Sequence, residues 1–316
     1  MDQKPMVSVV MITYNHEKYI AEAIKGVFIQ KCDFDIEFII ANDKSIDQTN
    51  QVINKIIDET TIADHIKLRY YNHPNNKGMM KNFIWSLQQA KGRYIALCEG
   101  DDYWTDPLKL QKQVDFLEAN LDYGLSFTNC SVLYEKANVI KESKKPLIDC
   151  SSLSRIELFN KIMKKELRIR TPSILIRTSV FKNIKPNTEQ FLMGDLPLFL
   201  DFAMNAKFHY YKKDTLIYRH RTESASHFKS LLKRLKFQEN TWEMRLYYTQ
   251  KYSNELESWV INQLNKHRIE IKASFPKEKI ILLNPGFRYK ALFLIIKRLP
   301  KFNFLFFRII RKMKLL

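Results

Sequence analysis

The residues of this chain best placed to do chemistry are Glu99, Asp101 and Asp102, three carboxylates within the stretch Glu99-Gly100-Asp101-Asp102. Left alone, such a cluster repels itself and raises its own pKa values. A divalent cation relieves that repulsion, and hard carboxylate oxygens suit Mg2+ or Mn2+. Mg2+ takes one or two protein carboxylates and completes its shell with water and phosphate oxygens. An acidic pair at a strand end therefore points to a metal–diphosphate site. An isolated Asp-Asp pair fits a solvated turn with a helix cap better. The strand before this cluster and Trp104-Thr105-Asp106-Pro107 after it favour the metal.

Two further groups stand out. In Phe191–Phe199 (FLMGDLPLF), Gly194 frees the backbone and Asp195 precedes a helical pattern with Pro197 near its first turn. Asp is a favoured N-cap, so position alone fits a cap as well as a proton acceptor. Tyr218-Arg219-His220-Arg221 ends a strand. Its arginines suit phosphate, and His220 offers an imidazole to a metal, although a lone His is more often a plain polar neighbour.

These groups need a frame. Val7–Thr13, Ile36–Ala41, Ile66–Tyr71 and Arg93–Cys98 read as apolar strands. They alternate with helical patterns to about Gln30, from an N-cap at Asp47 through Ile57, and from Met79 to Ala90. That alternation predicts βαβ units and a mostly parallel sheet. Polar clusters follow the carboxyl ends of the strands, where open α/β sheets bind ligands. Further on, the pattern predicts a helix over Leu108–Ala119, a strand over Tyr123–Tyr134, and a polar loop over Asn138–Cys150. It continues with a helix over Ser154–Lys165, a strand over Ser173–Ile176, a helix over Asp195–Asn205, a strand over Thr215–Tyr218 and charged helix over Ser230–Ser274.

Three stretches, Val7–Ile20 (VSVVMITYNHEKYI), Ile39–Thr49 (IIANDKSIDQT) and Asn75–Trp104, continued by Asp106–Leu117, carry a resemblance to the family 2 glycosyltransferases of GT-A fold, of the bacterial cell-surface polysaccharide type. The resemblance implies a Rossmann-like, mostly parallel sheet flanked by helices, with a helical basic C-terminal extension. It divides the chain into a transferase domain, 1–226, and a C-terminal region, 227–316. Within the domain, 1–105 would be the nucleotide-binding half and 106–226 the acceptor half. It implies that Thr13, Tyr14, Asn15 and Asp43 hold the nucleotide, with Asn42 standing where the family commonly has a first acid. Lys77 and Gly78 would lie near the donor, with Asn82 facing the cleft. Glu99-Gly100-Asp101 would correspond to the family's Asp-x-Asp, with Glu replacing the first Asp. Asp101 and Asp102 would touch ribose or ligate Mn2+ or Mg2+, joined by His220. Arg219 and Arg221 would face the diphosphate, Arg170–Ser173 the acceptor, and Asp195 would be the base of an inverting transfer.

Composition sets the setting. The 316 residues are 45% hydrophobic, which excludes global disorder. The four cysteines form no C-x-x-C motif and read as reduced core thiols. Met1–Pro5 is polar and Met6–Tyr14 reads as a strand, so no signal peptide is expected, and no apolar run is long enough to span a bilayer. Formal net charge is +18, and residues 277–316 carry eleven Lys or Arg against one acid. Tyr289–Leu316 mixes apolar runs with basic pairs, as in a segment lying on an anionic membrane surface. A helix packed on the domain or a nucleic-acid arm are its alternatives, and so many bulky apolar side chains argue against nucleic acid.

The expectation is a cytoplasmic enzyme, peripheral on the inner face of the plasma membrane. It would move sugar from a nucleotide donor, UDP-linked, to a glycan or lipid-linked acceptor in envelope polysaccharide synthesis. A sugar-nucleotide nucleotidyltransferase would need a Gly-rich, basic loop after the first strand, and Tyr14-Asn15-His16-Glu17 is not one.

Overall fold

The computed structural model describes residues 4–142, 150–184, 191–221 and 230–298. Ser224–Ser226 and the end of the basic tail, 299–316, lie outside them. The chain divides into two compact units, Met1–Thr222 and Glu223–Leu316.

The first unit begins with β1 (Val7–Thr13), α1 (Ile20–Phe28), β2 (Ile36–Asn42), α2 (Thr49–Glu59), β3 (Ile66–Asn72), α3 (Met79–Gln89) and β4 (Tyr94–Leu97). β1 and β2 are buried along almost their whole length, as strands covered on both faces must be. Their Val7, Val9, Met11, Ile36, Phe38 and Ile40 meet Ile20, Ala23, Ile24 and Val27 of α1 in one core.

Next come β5 (Tyr103–Trp104), α4 (Lys109–Ala119), β6 (Tyr123–Tyr134), β7 (Val139–Glu142), α5 (Arg155–Met163), β8 (Ile174–Arg177), α6 (Thr178–Ile184), α7 (Asp195–Asn205) and β9 (Lys207–His220). A single 3-10 turn over Thr171–Ser173 leads into β8. A capping box opens α5: the Ser154 hydroxyl accepts the Glu157 N–H, and the Glu157 carboxylate accepts the Ser154 N–H.

Among the described residues nine strands form one sheet in the order β3-β2-β1-β4-β8-β6-β9-β5, with β7 paired to β6. β1 to β4 pair in parallel. Beyond β4 the sheet is mixed: β8 is antiparallel to both β4 and β6, β5 is antiparallel to β9, and β6 and β9 are parallel. The parallel expectation therefore describes the first half, where each strand is followed by a helix that carries the chain back. β9 is also far longer than Thr215–Tyr218, and β7 lies inside the stretch read as loop.

In the second unit, α8 (Leu231–Lys251) packs along α9 (Glu257–Ser274), and Arg268 of α9 pairs with Glu239 and Glu243 of α8. α10 (Phe287–Arg298) buries Leu292 and Ile296 against Ile269 and Ala273, while Leu294 and Ile295 are exposed. Among the described residues no helix is long and apolar enough to cross a membrane.

Candidate active site

The carboxyl ends of β1, β2 and β4 deliver the polar clusters to one edge. Register sets Thr13 beside Asn42, and the Asp43 N–H donates to the Thr13 carbonyl at 2.9 Å. The segment after β4 stays on β1, since Gly100 N–H donates to the Ile12 carbonyl at 3.0 Å. Gly100 is required by close approach: a Cβ there would stand 2.7 Å from Thr13 Oγ1 and 3.0 Å from His16 Nδ1.

Two loops are laced together across this edge. Asn15 donates its N–H to Ser45 Oγ and accepts the Ile46 N–H on Oδ1. Glu17 N–H donates to Asp47 Oδ2 while Glu17 accepts the Gln48 N–H. Asp47 accepts from Thr49 N and Oγ1, so it caps α2 from one residue further back than a standard N-cap. Tyr14 is exposed above the loop. Asp43 is buried, and its carboxylate accepts the N–H groups of Lys77 and Gly78 at 2.7 and 2.9 Å. Gly78, with φ +84°, supplies the backbone conformation that turn demands, and Lys77 is exposed beside it. Asn82 does not face the cleft. It is buried, its amide donates to the Ala41 carbonyl, and its oxygen meets His73 Nε2.

The acidic segment is tied to the far end of β9. Arg219 N–H donates to Asp102 Oδ1 at 2.7 Å, and its guanidinium donates to the Asp101 carbonyl and pairs with Glu22. That guanidinium lies against the rings of Tyr19 and Tyr103. Arg221 pairs with Asp101 Oδ2 at 2.5 Å and donates to His16 Nε2 at 3.2 Å. His220 is exposed, with its ring 5.2 Å from that of Tyr134, and it does not join Asp101 and Asp102. Successive strand residues point to opposite faces, so Arg219 and His220 cannot both turn inward.

Asp195, the first residue of α7, is brought to the same place. Its Oδ1 accepts the Leu196 N–H at 2.7 Å, and Thr171 Oγ1 lies 3.5 Å from Oδ2. Burial raises its pKa, against the pull of Arg170 and of Thr171. Glu99 is pushed up to about 8 by burial first, then by the charge of Asp101, with Asp195 adding to the effect. Glu99 Oε2 is buried with no hydrogen-bond partner. Asp102 is held well above the carboxylate range by burial, then by Asp101 and Glu99.

Among the described residues no group of three His, Cys, Asp or Glu is gathered closely enough to hold a metal unaided. The residues present nevertheless fit a hard divalent ion. Asp101, its neighbour Asp102, whose proton affinity is raised, and the orphaned Glu99 oxygen nearby form the partial donor set that phosphate oxygens complete. Sequence reasoning missed Glu22, Tyr19 and Tyr103, and it placed Thr171 only within the Arg170–Ser173 acceptor segment, not beside Asp195. The Glu22–Arg219 pair spans 197 residues and leaves no local signal.

Residues 8–184 match the model of glycosyl transferase family 2. The chain belongs to that family. This family 2 member is 43% identical over 129 residues to a Mycobacterium tuberculosis protein, a match covering 40% of this chain and 36% of the relative. It thus spans about a third of that relative's length. It is 36% identical over 113 residues to the Escherichia coli UDP-Glc:α-D-GlcNAc-diphosphoundecaprenol β-1,3-glucosyltransferase WfaP, covering 36% of this chain and 41% of WfaP. Its fold is that of residues 1–349 of Staphylococcus aureus TarS, solved with UDP-GlcNAc: TM-score 0.59 and 19% identity, covering 85% of this chain and 73% of that fragment. The GT-A expectation for the sheet and its flanking helices holds.

Proposed function

We propose that this family 2 member is an inverting glycosyltransferase that moves a sugar from a nucleotide donor, UDP-linked, to a glycan or lipid-linked acceptor. The observation that carries the reading is the convergence of Asp195, from the second half of the domain, on the acids that end β4: the Thr171 hydroxyl, 3.5 Å from Asp195 Oδ2, also faces Glu99. A proton acceptor and a diphosphate-facing acidic pair are the two parts such a transfer needs.

In this reading Asp195 takes the proton of the acceptor hydroxyl as its oxygen bonds to the anomeric carbon. The bond from that carbon to the donor diphosphate breaks, and the diphosphate leaves with the electron pair. Asp101 and Asp102 would hold a Mn2+ or Mg2+, which when bound stabilises the leaving diphosphate as a Lewis acid. The Thr13–Asn15 loop and Asp43 flank the nucleotide, with Lys77 and Gly78 along its edge. Arg221, paired with Asp101, is one cation at hand for phosphate, and Arg219 acts by holding the acidic segment.

WfaP supports a UDP-linked donor and a diphospholipid acceptor, and envelope polysaccharide synthesis is the corresponding setting. Residues 277–316 would rest on an anionic membrane surface at the cytoplasmic face, consistent with the exposed Leu294 and Ile295 beside Lys297 and Arg298. The test is a panel of nucleotide sugars screened for thermal stabilisation with Mn2+ present. A UDP-sugar should stabilise most, and indifference to every UDP-sugar would remove the donor assignment. Deleting residues 277–316 should abolish binding to anionic vesicles, and undiminished binding would remove the membrane assignment.

A further inference from the structure

The Thr171 hydroxyl lies 3.5 Å from Asp195 Oδ2 and also faces Glu99, and the turn that carries it, Thr171–Ser173, is pinned from beneath. Trp104 is 1% exposed, and its indole Nε1–H donates to the Pro172 carbonyl at 2.8 Å. One residue along, the Ser173 carbonyl accepts from Gln113 Nε2 at 3.0 Å, and the same nitrogen donates to the Ser126 carbonyl at 2.9 Å. Gln113 Oε1 accepts from Lys109 Nζ at 2.8 Å, and that ammonium lies 4.3 Å from the centre of the Trp104 ring.

Every member of this set is buried, and Lys109 and Gln113 are 0% exposed. Buried polar groups are costly unless they are paired, so a connected set of this kind fixes a geometry. Trp104 comes two residues after Asp102 and forms β5, the strand that pairs with β9. The turn under Thr171 is therefore fastened to the same short strand that extends the acidic segment.

We propose that Trp104 is a positioning residue, whose indole N–H fixes the Thr171–Ser173 turn and through the Thr171 hydroxyl sets where the Asp195 carboxylate stands relative to Glu99, Asp101 and Asp102. The proposal rests on the reading of Asp195 as the base for its catalytic meaning, and on the hydrogen bonds alone for its structural content. The groups that face Asp195 are Arg170 and Thr171 before β8, Leu196 N–H on its own helix, and Glu99 from the end of β4. Trp104 is buried, so its effect is exerted through the turn and not by contact with substrate.

The test follows the Asp195 carboxyl by 13C NMR in full-length, Asp-labelled protein without nucleotide or metal. The signal is assigned by its loss in Asp195→Asn. Removing the Thr171 hydroxyl in Thr171→Val withdraws a group that favours the ionised form, so the titration midpoint should move up by on the order of half a pH unit. Trp104→Phe should move it in the same direction, and the double variant should move it no further than Thr171→Val alone. An unmoved midpoint in Trp104→Phe, or fully additive shifts, overturns the proposal. If the phenylalanine variant does not fold, benzothienylalanine incorporated at position 104 removes only the N–H and gives the same reading. Loss of turnover in Asp195→Asn tests the base assignment separately, so failure of the one is distinguishable from failure of the other.

Discussion

The backbone N–H of Arg219 donates to Asp102 Oδ1 at 2.7 Å across 117 residues of chain. This bond joins the last residues of β9 to the acidic segment after β4, so the end of the long strand is tied to the carboxylates. It uses one acceptor position of a carboxylate that has about four. A buried carboxylate so held, with Asp101 beside it and its pKa raised, is poised to accept a cation.

Asp195→Asn should lower turnover by about 10²–10⁴-fold while nucleotide affinity stays within about twofold, because a general base acts on the acceptor and not on the donor. Turnover of the stabilising UDP-sugar and calorimetric titration with UDP measure the two quantities. Burial raises the Asp195 pKa, and a base must be ionised to act. The acid limb of the rate profile should therefore lie at higher pH than an ordinary carboxylate would give, with rate falling as pH drops through it.

Glu99 gives a stability prediction with a defined sign. Its pKa is about 8 in the folded chain against 4.5 ordinarily. Between those values the folded state keeps a proton that the unfolded chain has released, so without divalent ions stability should fall as pH rises from about 4.5 to about 8. Thermal midpoints across that window should show a shallower slope in Glu99→Gln. An identical slope in the variant would remove Glu99 as the cause.

Much of this frame was legible in the sequence. β1, β6 and α7 have the limits that their apolar runs predict, Val7–Thr13, Tyr123–Tyr134 and Asp195–Asn205. The edge that gathers Thr13, Asp43 and Asp101 follows from strands that end in polar clusters. β9 was legible only over Thr215–Tyr218, because Lys207–Asp214 interleaves exposed lysines with aromatic residues and its pairing with β6 slips register. The antiparallel pairs of β8 and β5 depend on how the chain crosses the sheet, which residue periodicity does not encode. Thr171 and Trp104 carry no local mark of their partners, Asp195 and Pro172, since both contacts exist only after β8 is in place.

Gly100→Ala should destabilise by about 1–3 kcal/mol, the usual range for overpacking. The added methyl would meet Thr13 Oγ1 at 2.7 Å and Thr13 Cβ at 2.9 Å. Denaturant midpoints check the loss, and the same variant should weaken Mn2+-dependent UDP binding, since relief of the contact moves the acidic segment away from β1.

The central claim is that Asp101 and Asp102 share a divalent ion with a diphosphate. Its most direct test is the affinity for UDP by calorimetry, with Mn2+ and with EDTA, on the full chain and on Asp102→Ala. Mn2+ should tighten UDP binding in the natural sequence by on the order of tenfold or more, and Asp102→Ala should lose this gain. Equal affinity with and without the ion, or an undiminished gain in Asp102→Ala, would contradict it.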